Sequence, residues 1–266
     1  IPNTAETAFL GLMHSMDDYL VKHRIDFIQK GKFTKEALEK TLSFRPRIEK
    51  LVIKDAKLRT FITNDTDRGN LISHVYDTTY EVINKGIDTL VVIDDSIVRG
   101  STLEKSILAM LERLEPKRII IVSSAPQIRY PDCYGIDMSK VGEFVAFRAM
   151  MELLKDRDME YLLDEVYEKC KATLDLEPHE VRNFVKDLYE PFTYEEVSNK
   201  IAEIVTPKGM KAEVKVVYQT VEDLHIACPN HSGDWYFTGN YPTPGGMKVV
   251  NNAFVNFMEG KLVRAY

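Results

Sequence analysis

The residue types that could do chemistry gather in one short string, VVIDDSIVRGST, from Val91 to Thr102. Its aliphatic start reads as a buried strand, so Asp94 and Asp95 fall at the carboxyl end of that strand, where open parallel sheets bind ligands. Adjacent carboxylates there can accept hydrogen bonds from vicinal hydroxyls or help hold a hydrated divalent cation. That chemistry suits a sugar. Ser96, Arg99, Gly100, Ser101 and Thr102 follow, and then a helical pattern begins. Backbone N–H groups leading into a helix make a phosphate site, with Gly100 permitting close approach and Ser101 and Thr102 adding hydroxyl donors. One loop is therefore expected to hold both ends of a sugar phosphate. Competing phosphate motifs fail on spacing. A Walker loop needs a lysine followed by Ser or Thr after two glycines, and a dinucleotide fingerprint needs three glycines, whereas Gly100 stands alone in this segment. A plain strand and turn with a solvated acid pair leaves the coincidence of acids, hydroxyls and glycine unaccounted for.

Positioning such a loop requires a strand on one side and a helix on the other. Leu90 to Ile93 is an all-apolar strand, Leu103, Ile107, Leu111 and Leu114 form a helical stripe, and Arg118 to Val122 is a second β-branched run. This is a βαβ unit, and continuous apolar strands belong inside a parallel sheet covered on both faces. The expected class is α/β, a mostly parallel central sheet flanked by helices. Upstream, Asn3 and Glu6 read as a capping box for a helix ending near His23, and a second helix is expected from Thr34 to Leu42, stopped by the Arg45-Pro46 bond. Short strands are expected at Lys50 to Ile53 and Arg59 to Thr63. From Val141 to about Pro207 the pattern is helical, with Phe144, Phe147, Met151 and Leu154 and then Leu162, Val166, Cys170 and Leu174 as apolar stripes that suit core better than a cofactor site. Strand character returns at Ala212 to Tyr218, before a tail dense in Gly, Pro, Asn and aromatics. The division expected is a core over residues 1–140, a helical insertion over 141–211, and a return strand with an irregular cap over 212–266.

Composition narrows the class of function. With 266 residues, 44% hydrophobic and 29% charged, the chain fits a globular protein of one or two domains at about 150 residues each. Its 35 basic and 41 acidic residues give a net charge of −6, which argues against a general nucleic-acid binder without excluding a local anion pocket. The aliphatic runs Leu90–Ile93 and Ile119–Val122 are far short of the ~20 residues that cross a bilayer, so no membrane association is expected. Ile1-Pro2-Asn3-Thr4 lacks the pattern of a signal peptide, and three scattered cysteines, Cys133, Cys170 and Cys228, suit a reducing, cytoplasmic compartment.

The apolar strand, the Asp-Asp pair and the Gly-Ser-Thr end resemble the phosphoribosylpyrophosphate (PRPP) loop of type I phosphoribosyltransferases. DDSIVRGST followed by SSAPQIRYPDCYGIDMS, Ser123 to Ser139, is more specific and is similar to the synthase half of the amidophosphoribosyltransferase family, the glutamine PRPP amidotransferases. Ile1-Pro2-Asn3-Thr4-Ala5 stands where that family has its pyrophosphate loop, Arg59-Thr60-Phe61-Ile62 opens its mobile flap, and Phe237-Thr238-Gly239-Asn240-Tyr241-Pro242 resembles its C-terminal signature. The resemblance implies a type I phosphoribosyltransferase fold in which Asp94 and Asp95 hold the ribose hydroxyls of PRPP and help hold Mg2+. Ser96, Arg99, Gly100, Ser101 and Thr102 would cradle the 5′-phosphate. Asn3 and Thr4 would lie near the pyrophosphate, and Arg59 near the substrate under the flap. It implies displacement of pyrophosphate by ammonia to give 5-phosphoribosylamine in purine synthesis, with no covalent nucleophile. It further implies a homo-oligomer and feedback inhibition by purine nucleotides. Another PRPP-dependent enzyme, such as a base-salvage transferase, and a non-catalytic PRPP- or nucleotide-sensing module are the alternatives.

Several positions depart from that family. Its ammonia comes from an amino-terminal glutaminase domain opening on a cysteine, whereas this sequence opens on Ile1, so the expectation is a C-terminal portion whose glutaminase domain is not in this sequence. The flap region balances Lys57, Arg59 and Arg68 against Asp65, Asp67 and Asp77, and His74 stands where a lysine is usual. Asn3 and Thr4 replace the usual Asp and Ser. Gly233 and Tyr236 occupy the positions of a Cys-x-x-Cys pair that some members use for an iron–sulfur cluster, so no cluster is expected. Cys228 with His231 is at most half of a four-ligand zinc site.

Overall fold

The computed structural model describes residues 5–48, 52–54, 76–78, 83–132, 138–173, 176–177, 180–231 and 233–265. The chain divides into two compact units, Ile1–Ile83 and Asn84–Tyr266.

In the first unit, helix α1 spans Glu6–Gln29 and α2 spans Lys35–Ser43. α1 runs past the expected end near His23 because no breaker intervenes before Gly31, whose φ of 66° ends the helix. Its start is corrected too: Ala5 occupies the cap position without a side-chain bond, and the expected cap Asn3 lies outside the described residues. α2 starts as its sequence predicts, the Thr34 side chain accepting the Ala37 N–H at 3.2 Å. Strands β1 (Val52–Lys54) and β2 (Tyr76–Thr78) pair antiparallel. The strand expected at Arg59 to Thr63 lies outside the described residues.

The second unit is built on a three-stranded parallel sheet, β3 (Thr89–Asp94), β4 (Arg118–Ser123) and β5 (Glu213–Tyr218), in that spatial order. Helix α3 connects β3 to β4, opening as a π-helical turn at Leu103–Ile107 and continuing as α-helix over Leu108–Glu112. Between β4 and β5 lie α4 (Val145–Asp156), α5 (Tyr161–Ala172), a 3-10 turn at Phe184–Leu188 and α6 (Tyr194–Val205). The α/β class with a parallel sheet and flanking helices is thus as the sequence indicates. Leu90, Ile119, Ile121 and Val216 bury one face of the sheet, and α4 and α6 pack together with β5 against α6. The opposite face is mixed: Ile93 is buried, whereas Val91 is 55% and Val217 39% exposed. Among the described residues, β4 lies between β3 and β5 in this sheet. Of the expected stripes, Phe144, Phe147, Leu154, Val166 and Cys170 are buried core, Met151 and Leu162 are half-buried, and Leu174 lies outside the described residues.

The tail is more regular than its composition suggests. After α7 (Val221–Ala227) and the single turn α8 (Trp235–Thr238) comes α9, Pro244–Met258. Thr243 caps α9 by accepting from the Gly246 N–H, and Pro244 fits the first turn, where a missing N–H costs nothing. These residues read as loop formers in sequence and act as a helix start in the fold. Among the described residues, no helix is long and apolar enough to cross a membrane.

Candidate functional site

Asp94 is the last residue of β3, and both it and Asp95 are tied to the end of β4. The Asp94 carbonyl accepts the Ser124 N–H at 2.9 Å, and the Asp95 carbonyl accepts from Ser124 Oγ at 3.2 Å. The chain then turns on its own acids. Asp94 Oδ1 accepts the Asp95 N–H at 3.1 Å, and Asp95 Oδ1 accepts the Ser96 N–H at 3.0 Å. Ile97 is buried and anchors the middle of the loop. Val98 is pinned through its carbonyl, which accepts the Val145 N–H from the start of α4 at 2.8 Å.

Gly100 has to be glycine on two counts. Its φ is 75°, and an added Cβ would lie 2.9 Å from Val205 Cγ1 and 3.3 Å from Val145 Cγ2. It brings the loop onto α4 and α6 and starts α3, the Glu104 N–H donating to its carbonyl at 3.0 Å. The amides of Ser101, Thr102 and Leu103 precede that first helical bond, which makes them the donors that a helix start offers to an anion.

Electrostatics single out Asp94. Burial first, then the hydrogen bond and the charge of Asp95, push its carboxyl up to about 6. Two neighbouring carboxylates with restricted water gain from hydroxyl donors or a hard divalent cation, and their oxygens are of the type that Mg2+ accepts. Among the described residues no group of three or more His, Cys, Asp or Glu could hold a metal, so a cation here would rest on the acid pair and on oxygens of the substrate.

Asp94, Asp95, Ser96, Gly100, Ser101 and Thr102 thus share one loop. Arg99 belongs to the same loop; its Nε donates to Glu143 Oε2 at 2.9 Å in a half-exposed ion pair, and Lys140 approaches the same carboxylate at 3.7 Å. Asn3, Thr4 and Arg59 lie outside the described residues, as do His74 and Cys133. At the weak zinc candidate, Cys228 is exposed and His231 Nδ1 accepts the Gly233 N–H at 3.2 Å.

Sequence reasoning passed over Tyr218, the last residue of β5. It pairs in register with Ser123, which pairs in turn with Asp94. Among the described residues its buried hydroxyl has no hydrogen-bond partner, a state that costs about 1–3 kcal/mol. Burial, followed by the charge of Asp94, keeps its phenol protonated well above the usual range. The available signal was an aromatic with a polar tip ending a strand of the same sheet.

Fold and site together define an α/β protein with an acid pair and an anion-receptive loop at the carboxyl edge of a parallel sheet. No family model matches the chain. It is similar over part of its length to amidophosphoribosyltransferases: 34% identical over 96 residues to that of Pasteurella multocida, 47% over 58 residues to that of Haemophilus influenzae, and 44% over 57 residues to that of Escherichia coli. These stretches cover 36%, 22% and 21% of this chain and only 19%, 11% and 11% of the relatives. A solved glutamine PRPP amidotransferase from B. subtilis, complexed with ADP and GMP, covers 73% of this chain and 32% of its own at 21% identity. The TM-score is 0.40.

Proposed function

We propose that this chain carries the phosphoribosyltransferase portion of an amidophosphoribosyltransferase, with a type I phosphoribosyltransferase fold, converting PRPP and ammonia to 5-phosphoribosylamine and pyrophosphate. The observation that carries the reading is the Asp94–Asp95 pair feeding directly into a glycine-kinked loop and the start of α3. The partial similarity to amidophosphoribosyltransferases supports it. On this reading the acid pair accepts from the ribose hydroxyls, and the amides and hydroxyls of Ser101 and Thr102 receive the 5′-phosphate. Bound Mg2+ would neutralise charge on the departing pyrophosphate, with Asp94 and Asp95 as its protein-side oxygens.

Positioning does most of the chemistry. The anomeric carbon gains positive character as pyrophosphate leaves, so carboxylates fixed beneath the ribose stabilise that charge while ammonia is held in line. No covalent residue is needed. Ammonia would come from a glutaminase domain, residues 141–211 would be a helical insertion in the transferase domain, and purine nucleotides, which share the ribose 5-phosphate, would compete for the loop in a homo-oligomer. Incubation with PRPP, Mg2+ and ammonium should release pyrophosphate, and Asp95→Asn should reduce that release at least 100-fold. Absence of release by the wild-type chain would sink the reading.

A further inference from the structure

We propose that the Tyr218 hydroxyl is a substrate-binding group of the acid-pair site, donating to a ribose hydroxyl of PRPP that in turn donates to the Asp94 carboxylate. The inference rests on the ribose-phosphate reading above and adds to it a residue from the far strand of the sheet.

Register comes first. Asp94, Ser123 and Tyr218 are paired across the final rung of β3, β4 and β5, so their side chains leave the same face of the sheet at its carboxyl edge. Burial first, and then the charge of Asp94, raise the pKa of the Tyr218 phenol.

Satisfaction of polar groups comes second. Tyr218 Oη is buried and makes no hydrogen bond among the described residues. Its neighbours in the rung spend their groups elsewhere: Ser123 Oγ donates to the Ala125 carbonyl at 2.8 Å, and Asp94 Oδ1 takes the Asp95 N–H. Phenylalanine would fill the same volume without burying an unmatched oxygen, and a lone unsatisfied group in a packed protein calls for an explanation. A partner supplied by a ligand provides one.

The chemistry of the two groups selects that partner. Tyr218 is a donor and Asp94, once ionised, an acceptor. A hydroxyl can accept one hydrogen bond while donating another, so a sugar hydroxyl between them satisfies both. A phosphate oxygen could take the phenol proton but would face the carboxylate as a like charge. The pair therefore suits the diol end of the ligand, which leaves the phosphate to the amides after Gly100.

Isothermal titration of the full chain with PRPP and Mg2+, for wild type and Tyr218→Phe, tests this. The variant should bind about tenfold more weakly, roughly 1.4 kcal/mol, with an unchanged or higher melting temperature because an unmatched buried oxygen has been removed. Equal affinities would overturn the assignment of Tyr218 alone. Weaker binding accompanied by a lower melting temperature would also overturn it, since the tyrosine would then be a structural residue. A wild-type chain that fails to bind PRPP would overturn the ribose-phosphate reading and this inference with it.

Discussion

The carboxyl ends of β3 and β4 lie side by side, yet they treat buried polar groups in opposite ways. After β4, Gln127 is fully buried and Arg129 is 7% exposed. Gln127 Nε2 donates to the Tyr194 carbonyl and to Ser198 Oγ, each at 2.8 Å, while its Oε1 accepts from Arg129 Nε at 3.0 Å and Nη2 at 2.7 Å. The guanidinium lies over the rings of Tyr189 and Tyr194, 4.7 and 3.9 Å from their centres. The Arg129 and Tyr130 amides both donate to the Tyr236 carbonyl, which joins this segment to the tail. At the end of β3 two acids share one turn, one of them with a raised pKa, and across the rung a tyrosine oxygen has no partner among the described residues. The first arrangement is a closed joint whose members satisfy one another. The second leaves polar groups unmatched at a cost in stability, and on the proposed reading a ligand restores it.

That contrast can be broken by mutation. Gln127→Leu should cost about 2–4 kcal/mol in urea denaturation, because it leaves the buried Arg129 guanidinium without its acceptor. The folded fraction should still bind PRPP like the wild type; a loss below about 1 kcal/mol would show that the joint is not closed in this sense.

Asp94→Asn should act with the opposite sign. The folded-state pKa of Asp94 lies above its ordinary value, so its carboxyl form adds stability below about pH 4 that is lost as pH rises through about 6. Replacing it by a neutral amide should therefore gain about 1–3 kcal/mol at pH 8 and nothing at pH 4. Paired urea titrations at the two pH values check this, and an equal effect at both would contradict the electrostatic account.

The smallest effect is expected at Arg99. Its ion pair with Glu143 is half exposed, so Arg99→Ala should change stability by no more than about 0.5–1 kcal/mol in the same assay. A larger loss would mean that this pair, and not the backbone contact between Val98 and Val145, holds the loop onto α4.

Much of this was legible in the chain itself. Leu90 to Ile93 and Arg118 to Val122 announce strands, the Leu103–Leu114 stripe announces the helix between them, and the Asp-Asp and Gly-Ser-Thr pattern announces the loop, because each depends on spacing along a short stretch. Helix ends were less legible. Thr243-Pro244-Gly245-Gly246 is loop chemistry locally and becomes a helix start only because the residues after it bury a face.

What the sequence alone determined, then, is the α/β class, the order of its elements and the position of the acid pair and the glycine-kinked loop after it, all set by local periodicity and backbone preference. Only the tertiary structure decided that β4 lies between β3 and β5 in the described sheet, that Arg99 turns to Glu143, and that Tyr218 closes the rung with Asp94. Each of these depends on residues far apart in the chain being brought to one place, and strand order and register arise from packing rather than from any local pattern.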